Sequence, residues 1–584
     1  MDLTKKCVLN EKMAKFAAEA MKAALFDYSF DSDKVPTLNL NYFCDDYLNT
    51  QKMVDEKIME EGNMGPLCEE LENVISSSVW VPSNVSNAIF AFRTRLKHGE
   101  YEKINDRKPD IENGYKGKLD YYRHSVEYLT SIFESDEPYI FLLLDQIELL
   151  LTAEFSNENC KMMLFCIREF LSELINKCVS KQYLFYSVNK NLFENKKSDE
   201  PDNNYLMDFL IGLLPEESEY EVVFGISQDV HKVFRKITKF TRDAKENEQD
   251  LLKTSYVCHF SNEIAPIEAV DPVSALELAK TVFSDYLAAY NLGLHAETFS
   301  AKENGLVKKV SESKFNLIND SSNTLCRTIT RRAKENEIIV ELMFKDKFDR
   351  KVEELFTLHN SALLTKNHKS QLLNLWTIIE VAIDSKQSFS CRISYITDIL
   401  CPILSIVYYK RLTERLFRVV VNNIRARRVL ASLYPEKDAL ESFALCVKNK
   451  KEEIKSFFND NLFLEYHFDF LSDLFSSRKK LYNDWQRHIK RLRWQLSRIY
   501  RSRCQIIHDG HEPSYLESLV ENLHYYVDEM FDFIIYNTQK GLHSLNAILS
   551  AARIKEYEIE SYLSDKERSD TISDEEFLNI FITR

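Results

Sequence analysis

The segment Trp485–His508 (WQRHIKRLRWQLSRIYRSRCQIIH) constrains this chain more than any other. It holds neither Gly nor Pro, and its apolar residues recur at helical spacing between basic ones. Asp509-Gly510 supplies a residue suited to the left-handed conformation that ends a helix, and Pro513 forbids continuation. Ser514-x-x-Glu517 reads as a capping box opening a second helix, whose stripe is Leu516, Leu519, Val520, Leu523, Val527, Met530 and Ile534. Two long amphipathic helices joined by a tight corner bury their stripes by joining a bundle. Only 11 Gly and 12 Pro in 584 residues extend that argument to the whole chain, because so few breakers favour long helices over many-turned sheets. The expected fold is mainly α.

A chain of this length supports several cores. Low-apolar, charge-rich breaks at 195–204, 311–323 and 564–576 suggest linkers or loops. Four segments are expected: an N-terminal helical or α/β sensor domain (1–240), a small α/β connecting region (241–350), a helical domain (351–555) and a tail (556–584). In the first, Tyr139 to Leu144 followed by Asp145 reads either as a buried strand ending in a carboxylate or as a buried helix. Gln182 to Val188 would be its parallel neighbour. That pair resembles part of a P-loop ATPase, but the phosphate-cradling loop is missing and Asn113–Lys118 (NGYKGK) does not replace it, so a degenerate α/β sensor domain, or simply a buried helix, is the reading. Downstream, Ala275, Leu276, Ala279, Val282, Phe283, Tyr286 and Leu287 mark a helix with Pro272 in its first turn, while Glu297–Val310 and Ile338–Phe344 would supply strands.

The net charge of −15 is unevenly spread. Between Cys401 and Gly510 there are 22 Lys and Arg against 12 Asp and Glu, which is the pattern of a protein that holds a polyanion at one place, or of a solvated basic face. The 12 Cys show no C-x-x-C pair and no zinc-finger spacing, so a reduced cytoplasmic setting is expected, with no metal and no cofactor. Met1–Phe16 lacks the apolar core of a signal peptide, and Ile399–Tyr409 is too short to span a bilayer, so no membrane partner is expected.

His508 falls on the last turn of the basic helix, and an imidazole is the side chain best suited to proton exchange near neutrality. Arg503 offers a fixed charge and a fork of donors for a phosphodiester. At 3.6 residues per turn the two are about 140° apart around the axis, so one regular helix does not bring them together. Either the helix end distorts or a second subunit brings its copy across. Leu372, Leu375, Trp376, Ile379, Ala382 and Ile383 form a further apolar stripe with Glu380 on its border, a carboxylate that needs a cation if buried. His508, Asp509, His511 and Glu512 also place four metal-capable side chains in five residues, but Asp-Gly and Glu-Pro are first of all turn chemistry. Arg93-x4-His98 repeats the Arg-His spacing without either flanking helix and reads as coincidence.

Lys351–Tyr536, about a third of the chain, resembles the Apea-like branch of the HEPN family. The residues that carry the likeness are LHNSALLTKNHKSQLLNLWTIIE (Leu358–Glu380) and YRSRCQIIHDG (Tyr500–Gly510), followed by the amphipathic helix. The resemblance implies a HEPN-type helical bundle, a homodimer, and a metal-independent endoribonuclease in which the 2′-hydroxyl of RNA attacks the adjacent phosphate. It assigns proton transfer to His508 and phosphate stabilisation to Arg503, with Glu380 and Arg501 orienting Arg503. Arg498, Arg493 and Lys490 would hold RNA. The family usually has a small polar residue, often Asn, where this chain has Cys504, and a thiol hydrogen-bonds poorly. Cys504 reads as a packing residue rather than a nucleophile. Large extra domains resemble those of bacterial toxins and phage-defence effectors, implying a phage-derived trigger. The alternative is a non-catalytic RNA-binding or dimerisation module.

Overall fold

A computed structural model describes residues 6–25, 36–77, 123–133, 138–194, 203–291, 301–319 and 333–582, apart from 125, 236–238, 262, 366, 384–391, 459, 511 and 566. Asn113–Lys118, Arg93–His98, His511 and most of the expected break at 195–204 therefore lie outside the described residues. The fold is mainly helical, with one small antiparallel sheet. The chain forms two compact units: Met1–Ala24 with Tyr28–Glu173 and Leu325–Arg584, and Leu25–Asp27 with Leu174–Thr324. This division corrects the expected boundaries. The N-terminal segment is no separate domain, and a boundary at 240 would cut the sheet.

In the first unit, α1 (Lys12–Leu25) buries Ala14, Ala17, Ala18, Ala20, Ala23 and Ala24, small side chains that let its backbone sit deep in the core. The ring of Phe16 meets Phe463 and Tyr466, and the Glu19 carboxylate accepts the Phe463 N–H at 3.1 Å. Residues more than 440 apart thus share one core. Helices α2 (Leu40–Asp55) and α3 (Met64–Ser77) follow. Tyr139 to Leu151 is helix α4, not a strand. Its buried residues Tyr139, Ile140, Leu143, Leu144, Ile147, Leu150 and Leu151 keep spacings of three and four, so the thirteen-residue run is too long and too periodic for a strand. Glu169 on α5 (Asn157–Asn176) ties the N-terminal helices together by accepting from Tyr139 Oη at 2.8 Å and from the Leu40 N–H at 3.0 Å.

The C-terminal bundle contains α6 (Arg350–Leu364), α7 (His368–Ala382), α8 (Arg392–Ile406), α9 (Leu462–Phe475), α10 (Arg478–Asp509), α11 (Leu516–Gln539), α12 (Leu545–Ser564) and α13 (Asp574–Phe581). The long α10 contacts α7, α8, α9, α11 and α12, and also α3. All seven members of the α11 stripe are buried, each contributing about 1.5–3 kcal/mol relative to exposure. The expected tail is part of this core: Phe577 and Phe581 pack on Phe475 and Tyr409, and the Arg478 guanidinium donates to the carbonyls of Tyr562 and Arg568. Among the described residues no single helix is long and apolar enough to cross a membrane.

In the second unit, β1 (Ser218–Gly225) is central to an antiparallel sheet with β2 (Thr241–Asp243), β3 (Tyr256–Phe260), β4 (Ile267–Ala269), β5 (Asn304–Lys309) and β6 (Asn316–Asn319), in the order β2-β3-β1-β5-β6 with β4 also on β1. The helix Pro272–Asn291 lays Ala275, Leu276, Ala279, Phe283 and Leu287 across one face, against Val222, Phe224, Phe260 and Val307. Asp271 caps it, accepting from the N–H groups of Val273 and Ser274. Tyr286 lies outside the stripe and is exposed. An antiparallel sheet, with Gln182–Val188 in the helix Lys181–Asn189, excludes the P-loop-like arrangement. Ile338–Phe344, expected as a strand, belongs to the helix Ala333–Phe344, while β5 lies within the expected Glu297–Val310.

Candidate active site

Helix α10 remains α-helical through Asp509, and Gly510 then turns left-handed at φ 66°. A Cβ at Gly510 would meet no atom within 4 Å, so glycine is there for its backbone conformation and not for space. Lys369, at the start of α7, closes the same end by donating to the Gly510 carbonyl at 3.0 Å and pairing with Glu512 at 3.3 Å. The next helix begins at Leu516 with Tyr515 at the N-cap, and Ser514 sits in the turn just before it. The corner read from Gly510 and Pro513 is present: one helix ends at Asp509 and the next begins at Leu516.

Arg503 points to α7. Its guanidinium lies 3.7 Å from Glu380 Oε2, while Glu380 Oε1 accepts the Trp376 indole N–H at 2.9 Å and lies 3.4 Å from Arg392. The Tyr500 ring rests against Trp376, with centroids 5.7 Å apart. Glu380, largely buried, therefore has the cations its position demands, and it fixes the direction of Arg503. His508 is exposed on the final turn. Because the helix stays regular, the distorted-end alternative is not realised, and Arg503 and His508 of one chain remain about 140° apart around the axis.

The other supporting residues are placed differently. Arg501 does not orient Arg503: it is buried and pairs with Asp46 of α2 at 2.7 Å, where Tyr515 Oη also reaches Asp46 at 3.4 Å. Nor is Arg498 available to RNA. It is buried against Phe43 and pairs with Glu70 of α3; burial works against its charge, but Glu70 and Asp46 more than offset this and raise its pKa. Lys490 and Arg493 are exposed, with Glu69 at 3.2 Å and Asp398 at 3.6 Å respectively. Trp494 also donates to Glu69, at 3.0 Å. Much of the positive charge in this helix thus meets acidic residues of α2, α3 and α8, which charge counting along the sequence could not reveal.

Cys504 is buried in a cluster with Met53 and Met59, and Val54, Ile58 and Tyr500 pack against it. Burial pushes its thiol pKa up despite the Arg503 charge beside it, which suits packing and not nucleophilic attack. One grouping escaped sequence reading altogether: His359 of α6 lies beside His524 and Asp528 of α11. No spacing rule joins residues 165 apart, and only the i, i+4 pair on α11 carried a local signal. No family model matches this chain, and comparison with curated proteins and with solved structures likewise finds no match.

Proposed function

We propose that the chain is a HEPN-type, metal-independent endoribonuclease that cleaves RNA by 2′-hydroxyl attack, with Arg503 and His508 as its catalytic residues. The observation that carries the reading is the division of the two along α10: Arg503 is aimed by a Glu380 already held by Trp376, and His508 stands exposed about 1.4 turns later. Two copies meeting around this helix end would place the arginine of one chain beside the histidine of the other. His508 would then accept the 2′-hydroxyl proton, or return one to the leaving 5′-oxygen, while Arg503 stabilises charge growing on the phosphate. The acids of α2 and α3 that cover Arg498 and Arg501 support a role for the N-terminal helices in control. A toxin or anti-phage effector in the cytoplasm, acting as a homodimer and released by a phage-derived trigger, fits that design.

The test is cleavage of a mixed RNA pool by wild type, Arg503→Ala and His508→Ala, with and without chelator. Loss of acid–base assistance should slow cleavage by about 10²–10⁴-fold. Unchanged cleavage in both variants would sink the site, and RNA binding without cleavage by wild type would leave a non-catalytic binding module. Equal protection against phage by wild type and His508→Ala would remove the defence role of the nuclease.

A further inference from the structure

Helices α6 and α11 bring together a histidine pair and a carboxylate away from Arg503 and His508. His359 Nε2 lies 3.1 Å from His524 Nε2, with the two rings within 2° of parallel. Asp528 Oδ1 is 3.7 Å from His359 Nε2, and Asp528 Oδ2 is 3.8 Å from His524 Nδ1. One ligand atom from each residue lies within 4.8 Å of the other two. His524 and Asp528 are buried one turn apart on α11, while His359 is partly exposed. Phe531 closes one side, its ring edge-on to His359 at 5.3 Å.

We propose that His359, His524 and Asp528 bind one divalent zinc-class cation that ties α6 to α11. Two zinc–nitrogen bonds of about 2.0–2.1 Å at a tetrahedral angle put their nitrogens about 3.3 Å apart, close to the separation of the two Nε2 atoms. Two imidazoles and one carboxylate suit zinc and its transition-metal neighbours, Fe(II) among them, whereas magnesium and calcium favour oxygen. The partly exposed side at His359 leaves a fourth position for water. Crosslinking α6 to α11 would stabilise the bundle, because a cation bound only by the folded state adds its binding energy to folding.

The experiment uses the full chain, stripped of metal and dialysed against zinc or cobalt(II), beside His359→Gln and Asp528→Asn variants whose far-UV circular dichroism matches wild type. Wild type should retain about one zinc per chain, show the visible ligand-field bands of four-coordinate cobalt, and unfold at higher temperature with zinc than without. Changes outside the ligand set already cost about 10–100-fold in metal affinity, so each variant should lose at least that much, together with the thermal shift. Equal metal content in wild type and His359→Gln overturns the proposal, as does a thiolate-to-cobalt absorption band, which would place the metal on cysteine. Metal content is read without RNA, so failure here is distinct from failure of the cleavage site.

Discussion

Replacing Asp46 by Ala tests whether the N-terminal helices and the basic helix are one structure. Arg501 is 1% exposed at its side chain and Asp46 2%, and their 2.7 Å contact is the one hydrogen bond to that guanidinium among the described residues. Removing the carboxylate strands a buried charge, for which the expected cost is about 3–5 kcal/mol, toward the upper end because the Nε and Nη1 groups have no partner to fall back on. Urea unfolding followed by tryptophan fluorescence isolates the effect, since the three Trp among the described residues, Trp376, Trp485 and Trp494, lie in the unit that contains the pair. Asp46→Leu with Arg501→Met, which removes both charges, should recover most of the loss. A cost below about 1 kcal/mol, or a double variant as unstable as the sum of the singles, would refute the claim that α2 neutralises α10.

Burial raises the Glu19 carboxyl to about 7, above the usual carboxylate range, so the folded state holds its proton longer than the unfolded chain does. Its contribution to stability is therefore lost as pH rises from about 4.5 to 7; Glu19→Gln should flatten that slope and add up to about 3 kcal/mol at pH 8, whereas parallel urea-midpoint profiles for the two proteins would contradict this. In the second unit, a Cβ at Gly305 would approach Leu276 Cδ1 to 2.3 Å in a closed core. Gly305→Ala should cost about 1–3 kcal/mol in denaturant unfolding monitored by amide exchange in β1 and β5, and unaltered protection of those amides would show that Leu276 yields freely.

The legible parts of the sequence were those governed by local rules. Gly510 ended α10 because its backbone must turn left-handed, and the stripes of α7 and α11 were readable from spacing alone. Glu380 was legible in the same way, as a carboxylate at a stripe border that would need a cation. Short apolar runs stayed ambiguous, as in α4, where strand and helix were both open until the length of the run decided for the helix, and other readings failed where tertiary partners decided the outcome. Arg498 and Arg501 look like a polyanion-binding face in sequence, yet their partners Glu70 and Asp46 are more than 400 residues away. The His359–His524–Asp528 cluster was hidden for the same reason, because its first member lies on a helix 165 residues upstream.

The most direct test of the central claim is to mix Arg503→Ala and His508→Ala proteins, unfold and refold them together, and measure RNA cleavage against each variant refolded alone. If one chain's arginine works with the other chain's histidine, a mixed dimer has one intact pair, and cleavage should return to about a quarter of the wild-type rate from random pairing of chains and one working site in each mixed dimer. Each variant alone should remain about 10²–10⁴-fold slower than wild type. A mixture no more active than its components, beside active refolded wild type, would contradict a site shared between two copies of α10.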